Sequence, residues 1–223
     1  MTTAIITDIE GTTTAISFVH QVLFPYAKTN LPSFVQQNQH DPAIQKLLAD
    51  TRSLAKVGPD APAVPILLQW IEQDKKATPL KALQGHIWEA GYHHGSLKGH
   101  LYQDAFEGLR KWHQQGISLY VYSSGSVYAQ KLLFGFSEFG DLTPMFSGYF
   151  DTNIGHKKES QSYRNIQEKI AIAPRDILFL SDVGAELDAA AQIGIQTIQL
   201  VRDETITPAT NHRQIASFDE ISL

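Results

Sequence analysis

There is no cysteine among the 223 residues. Disulfide frameworks, thiolate nucleophiles and cysteine-held metals are thereby excluded, and any nucleophile or metal ligand must offer oxygen or nitrogen. The composition fits a reducing, cytoplasmic setting. No apolar run reaches the ~20 residues that a bilayer-spanning helix needs. Residues 1–18 make a poor secretory leader, because they lack a basic start and carry Asp8 and Glu10 inside the apolar stretch. Charge is sparse, at 18% of residues with a net charge of -5, and no block of one sign occurs. That balance argues against broad binding to nucleic acid or to an anionic membrane, while leaving room for a local basic site. No G-x-G-x-x-G or G-x-x-x-x-G-K-[S/T] follows a strand, so the dinucleotide and P-loop modes fail. Nine histidines are present without an H-E-x-x-H spacing.

Apolar residues make up 43% of the chain, enough for a sizeable core. Residues 3–9 read as a short buried strand that stops at Gly11. From about Ser17 to His100 the periodicity is helical. Ile44, Leu47, Leu48 and Leu54 suit one amphipathic helix, and Val64, Leu67, Leu68 and Ile71 suit another. Val57-Gly58-Pro59-Asp60-Ala61-Pro62 breaks the chain between them, and Pro79 opens a third helix that ends near Gly91 or Gly95. Beyond Asp104, strands at 117–122, 146–150, 177–180 and 195–201 alternate with helices. The tail after Pro208 shows no pattern. The alternation predicts an α/β protein with right-handed crossovers and a doubly wound, Rossmann-like parallel sheet. The helical segment is then an insertion, giving a core of residues 1–17 and 101–223 and an inserted unit of residues 18–100.

Ligands of doubly wound sheets sit beyond the carboxyl ends of the strands. Three strands here end in polar residues: Asp8 with Glu10, Ser123 with Ser124, and Asp182. Two carboxylates spaced as Asp8 and Glu10 can divide labour, one as nucleophile or metal ligand and the other as general acid or base. Gly11-Thr12-Thr13-Thr14 follows them, and a glycine there frees main-chain amides to approach a phosphate. Ser123 and Ser124 precede a helix and offer hydroxyls beside free amides, although N-capping by Ser124 or Ser126 explains them equally well. Lys157 and Lys158 precede another helix; either supplies a cation to a phosphate oxygen, and two solvated lysines are the simpler alternative. A carboxylate at Asp182 suits Mg2+, which takes few protein oxygens. Glu186 and Asp188, one turn on, stay undecided.

In these residues the chain resembles the haloacid-dehalogenase-type phosphatases, whose four motifs fall in order at Asp8-Ile9-Glu10-Gly11-Thr12, Ser123, Lys157 and Asp182. More narrowly, it resembles the enolase-phosphatase (acireductone synthase) family of methionine salvage. The match rests on Asp8-Ile9-Glu10-Gly11-Thr12-Thr13-Thr14, Ser17-Phe18-Val19, Leu23-Phe24-Pro25-Tyr26-Ala27, Val121-Tyr122-Ser123-Ser124-Gly125-Ser126, Glu159-Ser160-Gln161-Ser162-Tyr163 and Phe179-Leu180-Ser181-Asp182-Val183. The resemblance implies that Asp8 is the nucleophile and a Mg2+ ligand. Glu10 would bind the metal through its carbonyl and act as general acid/base. Ser123, Ser124 and Lys157 would hold the phosphate, and Asp182 would complete a site for one Mg2+ per chain. His156 stands where that family is expected to carry proline, which keeps Lys158 open as a substitute for Lys157. The implied substrate is the small phosphate ester 2,3-diketo-5-methylthiopentyl-1-phosphate, enolised and then dephosphorylated in a monomeric enzyme under a helical cap. The enolisation base is Glu10 or a residue of the insertion such as Glu89. A generic phosphatase of the same superfamily and a phosphate-accepting signalling receiver are the competing readings. Receivers are much shorter and lack such an insertion.

Overall fold

The computed structural model describes residues 1–223. In chain order the elements are β1 (Ala4–Thr7), α1 (Ile16–Phe18), α2 (Phe24–Gln37), α3 (Pro42–Ala55), α4 (Ala63–Glu72), α5 (Thr78–His93), α6 (Gln103–Gln114), β2 (Ser118–Tyr122), α7 (Val127–Gly135), β3 (Phe146–Phe150), α8 (Ser160–Ile170), β4 (Ile177–Ser181), α9 (Gly184–Ala191), β5 (Gln196–Leu200) and β6 (Arg213–Ile215). The chain divides into two compact units, Met1–Ile16 with Lys98–Leu223, and Ser17–Leu97. No helix is long and apolar enough to cross a membrane.

The first unit is built on a six-stranded, wholly parallel sheet of order β3-β2-β1-β4-β5-β6. β1 is buried at every position, as the centre of a sheet covered on both faces requires. Ile6 and Phe179 of the sheet pack with Tyr163 and Ile166 of α8 and Leu187 and Ala190 of α9. Each of the isoleucine, leucine and phenylalanine side chains contributes roughly 1.5–3 kcal/mol on burial, so residues without chemistry hold the strand ends in register. Thr7 pairs with Val121 on one side and Leu180 on the other, which brings β1, β2 and β4 to one level at their carboxyl ends. The chain runs outward from β1 to β3 and returns beyond β1 for β4. That reversal is the switch point at which such sheets open a crevice. The sixth strand, β6, escaped the sequence pattern. It is three residues long and only Ile215 is buried, too little for a period to show.

The second unit is helical, with Leu31, Ile44, Leu67, Leu83 and Ile87 among its buried residues. Asp41 caps α3, its Oδ1 accepting from the amides of Ala43 and Ile44 at 2.7 and 3.4 Å. Ile44 and Leu48 are buried as the periodicity predicts, but Leu54 is 50% exposed. Ten residues at 100° each turn it roughly 80° away from Ile44. In α4 the buried stripe is Ala63, Leu67 and Trp70, and Val64, Leu68 and Ile71 lie at its margin.

Candidate active site

The site lies in the first unit, where β1 gives way to a tight loop. The Asp8 amide extends the ladder to Leu180 O at 2.9 Å, and the residue is buried. The carbonyl of Ile9 then accepts three amides, from Thr12, Thr13 and Thr14, at 3.2, 2.9 and 2.9 Å, and Gly11 N donates to Thr14 O at 2.8 Å. The four amides of the glycine-threonine loop are therefore consumed within the loop. They do not form the phosphate cradle that the glycine suggested. Gly11 serves close approach instead. Its φ is +73°, and a Cβ there would stand 2.6 Å from Asp182 Cγ. Gly11→Ala is expected to cost about 1–2 kcal/mol in left-handed strain alone. Because it also displaces the Asp182 carboxyl, activity should fall further than a stability loss of that size explains. Parallel melts and initial rates check this.

Lys157 is almost wholly buried, and its Nζ lies 2.6 Å from both Asp8 Oδ1 and Glu186 Oε2. Tyr163 Oη donates to its carbonyl at 2.7 Å, Ser162 Oγ donates to His156 O at 2.7 Å, and Tyr122 Oη donates to Gly155 O at 2.9 Å. Two buried tyrosines and a serine thus fix the loop with histidine in place of proline. Lys158 is exposed, so Lys157 is the cation at the strand edge. Glu186, undecided in the sequence, belongs to the cluster, with Ser181 Oγ donating to its Oε2 at 3.0 Å. Asp188 points elsewhere and pairs with His212 at 2.9 Å. An acid in the first turn of the helix after Asp182 was the available signal for Glu186, but it fits a helix-dipole partner equally well.

Ser123 is buried. Its Oγ donates to Glu10 Oε2 at 3.1 Å and accepts from Gly125 N at 3.1 Å. Ser124 is exposed, and capping of α7 falls to Ser126, which accepts from Ala129 N at 3.2 Å. Asp8, Glu10, Ser123, Lys157 and Asp182 therefore gather at one sheet edge. Glu89 lies in the second unit, on the wall of a cavity of about 310 Å3 that Phe34, Asn38 and His93 also line, with its Oε2 4.0 Å from His86 Nδ1.

The residues fit a magnesium ion. Asp182 Oδ1 is buried without a hydrogen-bond partner. The loop's amides go to Ile9 and Thr14, leaving the Glu10 carbonyl outside the turn. No three His, Asp or Glu side chains form a cage. Two carboxylates and a carbonyl suit Mg2+, which keeps several positions for water and phosphate oxygen.

The electrostatics show a site crowded with acids. Burial, then the charge of Asp8, raises Glu10 above the ordinary carboxylate range. Burial, with Asp8 and Glu186 adding to it, pushes Asp182 up to about 7. Burial and Asp8 push Glu186 up to about 7 against the pull of Lys157. Burial alone would lower Lys157, but Asp8 and Glu186 outweigh it and hold the amine above its ordinary value. Between the ordinary values of 3.8 and 4.5 and about 7, the folded protein retains protons that the unfolded chain has lost. Stability of the metal-free protein is therefore expected to fall as pH rises through that window. Excess Mg2+ should narrow the difference by stabilising the ionised acids. Thermal melts in chelator, with and without Mg2+, check both signs.

Comparison with known proteins identifies the family. The family model of the haloacid dehalogenase-like hydrolases matches residues 2–194. The enolase-phosphatase E1 of Pseudomonas savastanoi pv. phaseolicola is 56% identical over 218 residues, covering 96% of this chain and 95% of that protein. The enolase-phosphatase E1 of Erwinia tasmaniensis is 52% identical over 225 residues, covering 100% and 97%. The crystal structure of the UTR4 protein of Saccharomyces cerevisiae superposes with a TM-score of 0.82 at 34% identity, covering 99% of this chain and 100% of that one. With a switch-point aspartate, a buried lysine against it and full-length relatives of one kind, the chain belongs to the haloacid dehalogenase-like hydrolases and, within them, to the enolase-phosphatase E1 group.

Proposed function

We propose that this protein is a bifunctional enolase-phosphatase that converts 2,3-diketo-5-methylthiopentyl-1-phosphate to the acireductone and phosphate in methionine salvage, acting as a cytoplasmic monomer with one Mg2+. The observation that carries the chemistry is the 2.6 Å contact between Lys157 Nζ and Asp8 Oδ1 at the carboxyl edge of the sheet. It sets a buried carboxylate against a buried cation, at the edge where a phosphate would arrive. The substrate is the one implied by the sequence resemblance, and relatives at 52 and 56% identity named enolase-phosphatase E1 support it.

Asp8 attacks phosphorus and forms an aspartyl-phosphate as the ester oxygen leaves. Lys157 offsets phosphate charge, and the hydroxyls of Ser123 and Ser124 donate to its oxygens. Glu10, raised by burial and by Asp8, is the acid that would give a proton to the leaving oxygen. As a carboxylate it then takes a proton from the water that hydrolyses the aspartyl-phosphate. Asp8, Asp182 and the Glu10 carbonyl would hold Mg2+, which when bound supplies positive charge to the phosphate oxygens. Enolisation precedes this and removes the proton next to a carbonyl. Glu10, or a residue of the inserted helices such as Glu89, would take that proton. The inserted helices, residues 18–100, would close as a cap and exclude water.

An anaerobic assay with the diketo phosphate and Mg2+ tests the assignment by following enol absorbance and phosphate release together. Both signals are expected. Phosphate release from another small ester without either signal on this one would retain the phosphatase and remove the substrate.

A further inference from the structure

We propose that Arg202 and Gln199, at and just beyond the end of β5, are positioning residues that together set the two main-chain segments carrying Glu10 and Asp182. The proposal rests on the reading of those residues as the magnesium side of the site.

Arg202 is 7% exposed in its side chain and forks among three partners. Nε and Nη2 donate to Thr12 O at 3.1 and 2.8 Å. Nη1 donates to Asp104 Oδ2 at 2.7 Å and to Ala216 O at 3.3 Å. The guanidinium stacks 4.2 Å from the centre of the Tyr102 ring, with Phe218 at 5.3 Å. Asp104 is held in turn by Phe218 N at 2.7 Å and Ser217 Oγ at 3.1 Å, so the fork cannot swing away. Tyr102 N donates to Thr13 O at 2.9 Å, the next carbonyl along. The loop that begins at Glu10 is thus gripped at its far side. Gly11, between Glu10 and Thr12, is the residue with no room for a Cβ beside Asp182.

Gln199, three residues earlier, treats the other segment in the same way. It is fully buried, and its Nε2 donates to Asp182 O at 2.8 Å and to Thr207 O at 2.9 Å. Its Oε1 accepts from Ala209 N at 2.7 Å. Each of the two side chains therefore spends donors on a carbonyl of one segment, the loop after β1 and the loop after β4. Gln199 lies in β5 and Arg202 two residues beyond its last residue, Leu200, so the two side chains leave the chain three residues apart. A common base fixes the spacing between the Glu10 carbonyl and the Asp182 carboxyl. Mg2+ tolerates little change in that spacing, because it demands near-ideal octahedral geometry. Lysine could not replace the arginine: one ammonium on a flexible stem cannot hold Thr12 O and Asp104 in a planar fork.

The test uses the full chain and four proteins: wild type, Asp182→Asn, Arg202→Met and Arg202→Lys. Mg2+ affinity is read by calorimetric titration without substrate, alongside kcat, KM and the melting midpoint. Arg202→Met keeps the apolar stem against Tyr102. It is expected to weaken Mg2+ binding by roughly 10–100-fold, the range for groups that orient metal ligands, and to lower kcat far more than it raises KM. Arg202→Lys should show the same loss to a lesser degree, and it decides the matter if the methionine variant does not fold. A lowered melting midpoint with wild-type Mg2+ affinity and kcat would make Arg202 a structural residue only and overturn the proposal. If wild type binds no Mg2+, or Asp182→Asn binds it equally well, the site reading itself falls and the positioning role with it.

Discussion

Asp8→Asn is expected to reduce phosphate release by on the order of 10^4-fold or more, the scale of a lost nucleophile, while leaving the fold intact. The substitution is isosteric, and the main-chain bonds that position residue 8 do not involve the side chain. Its amide donates to Leu180 O, and its carbonyl accepts from Thr7 Oγ1 and Thr13 Oγ1. Lys157 keeps Glu186 at 2.6 Å, so the buried amine is not stranded. Removing one acid also relieves Asp182 and Glu186, both raised partly by Asp8. A carboxamide cannot attack phosphorus, and the effect should therefore fall on kcat. Enol formation should survive, since neither Glu10 nor Glu89 is altered. Rapid-quench mass spectrometry supplies the second readout, a phosphorylated chain in wild type and none in the variant. Retention of a tenth of the phosphatase rate would show that another group is the nucleophile.

The second large effect concerns stability. Lys157→Met is expected to cost about 3–5 kcal/mol near neutral pH, the cost of stranding a buried charge by removing its partner, and to abolish phosphate release. The amine is the cation that both Asp8 Oδ1 and Glu186 Oε2 touch. Its folded value lies above the ordinary 10.5. Wild type therefore holds this stabilisation in full at every pH below that ordinary value, and loses it only as pH rises through the folded one. The variant should behave differently. Its acids shed their cost by protonation, so its deficit relative to wild type should shrink as pH falls towards the carboxylate range. Denaturant melts at neutral and mildly acidic pH measure both. A deficit below about 1 kcal/mol at neutral pH would mean that water already screens the pair as it does at a surface.

Much of the architecture was readable from the chain. Strands at the centre of a parallel sheet are apolar at every position, so residues 177–180 announced β4, and polar residues at the strand ends announced the edge where the acids gather. Other features did not show. A lysine pair looks the same whichever member is buried, and only the bonds from Tyr122, Ser162 and Tyr163 select Lys157. Glu186 resembles an acid in any first helical turn until Lys157 is found beside it. The glycine at position 11 suggested an anion cradle, and the structure spends those amides on Ile9 and Thr14. Leu54 joined an apparent apolar stripe, yet helical geometry turned it outward.

The sequence by itself determined the alternation of strand and helix, the parallel sheet, the absence of thiol chemistry and the presence of acids at strand ends. These follow from the local periodicity of apolar residues and from residue type, which neighbours in the chain dictate. Tertiary structure alone decided which acids and which lysine meet, how far Asp182 and Glu186 are raised, and that Arg202 grips a loop 190 residues away. Such contacts join segments remote in the chain. Their energies depend on burial and on distances of a few ångströms, and no local pattern carries that information.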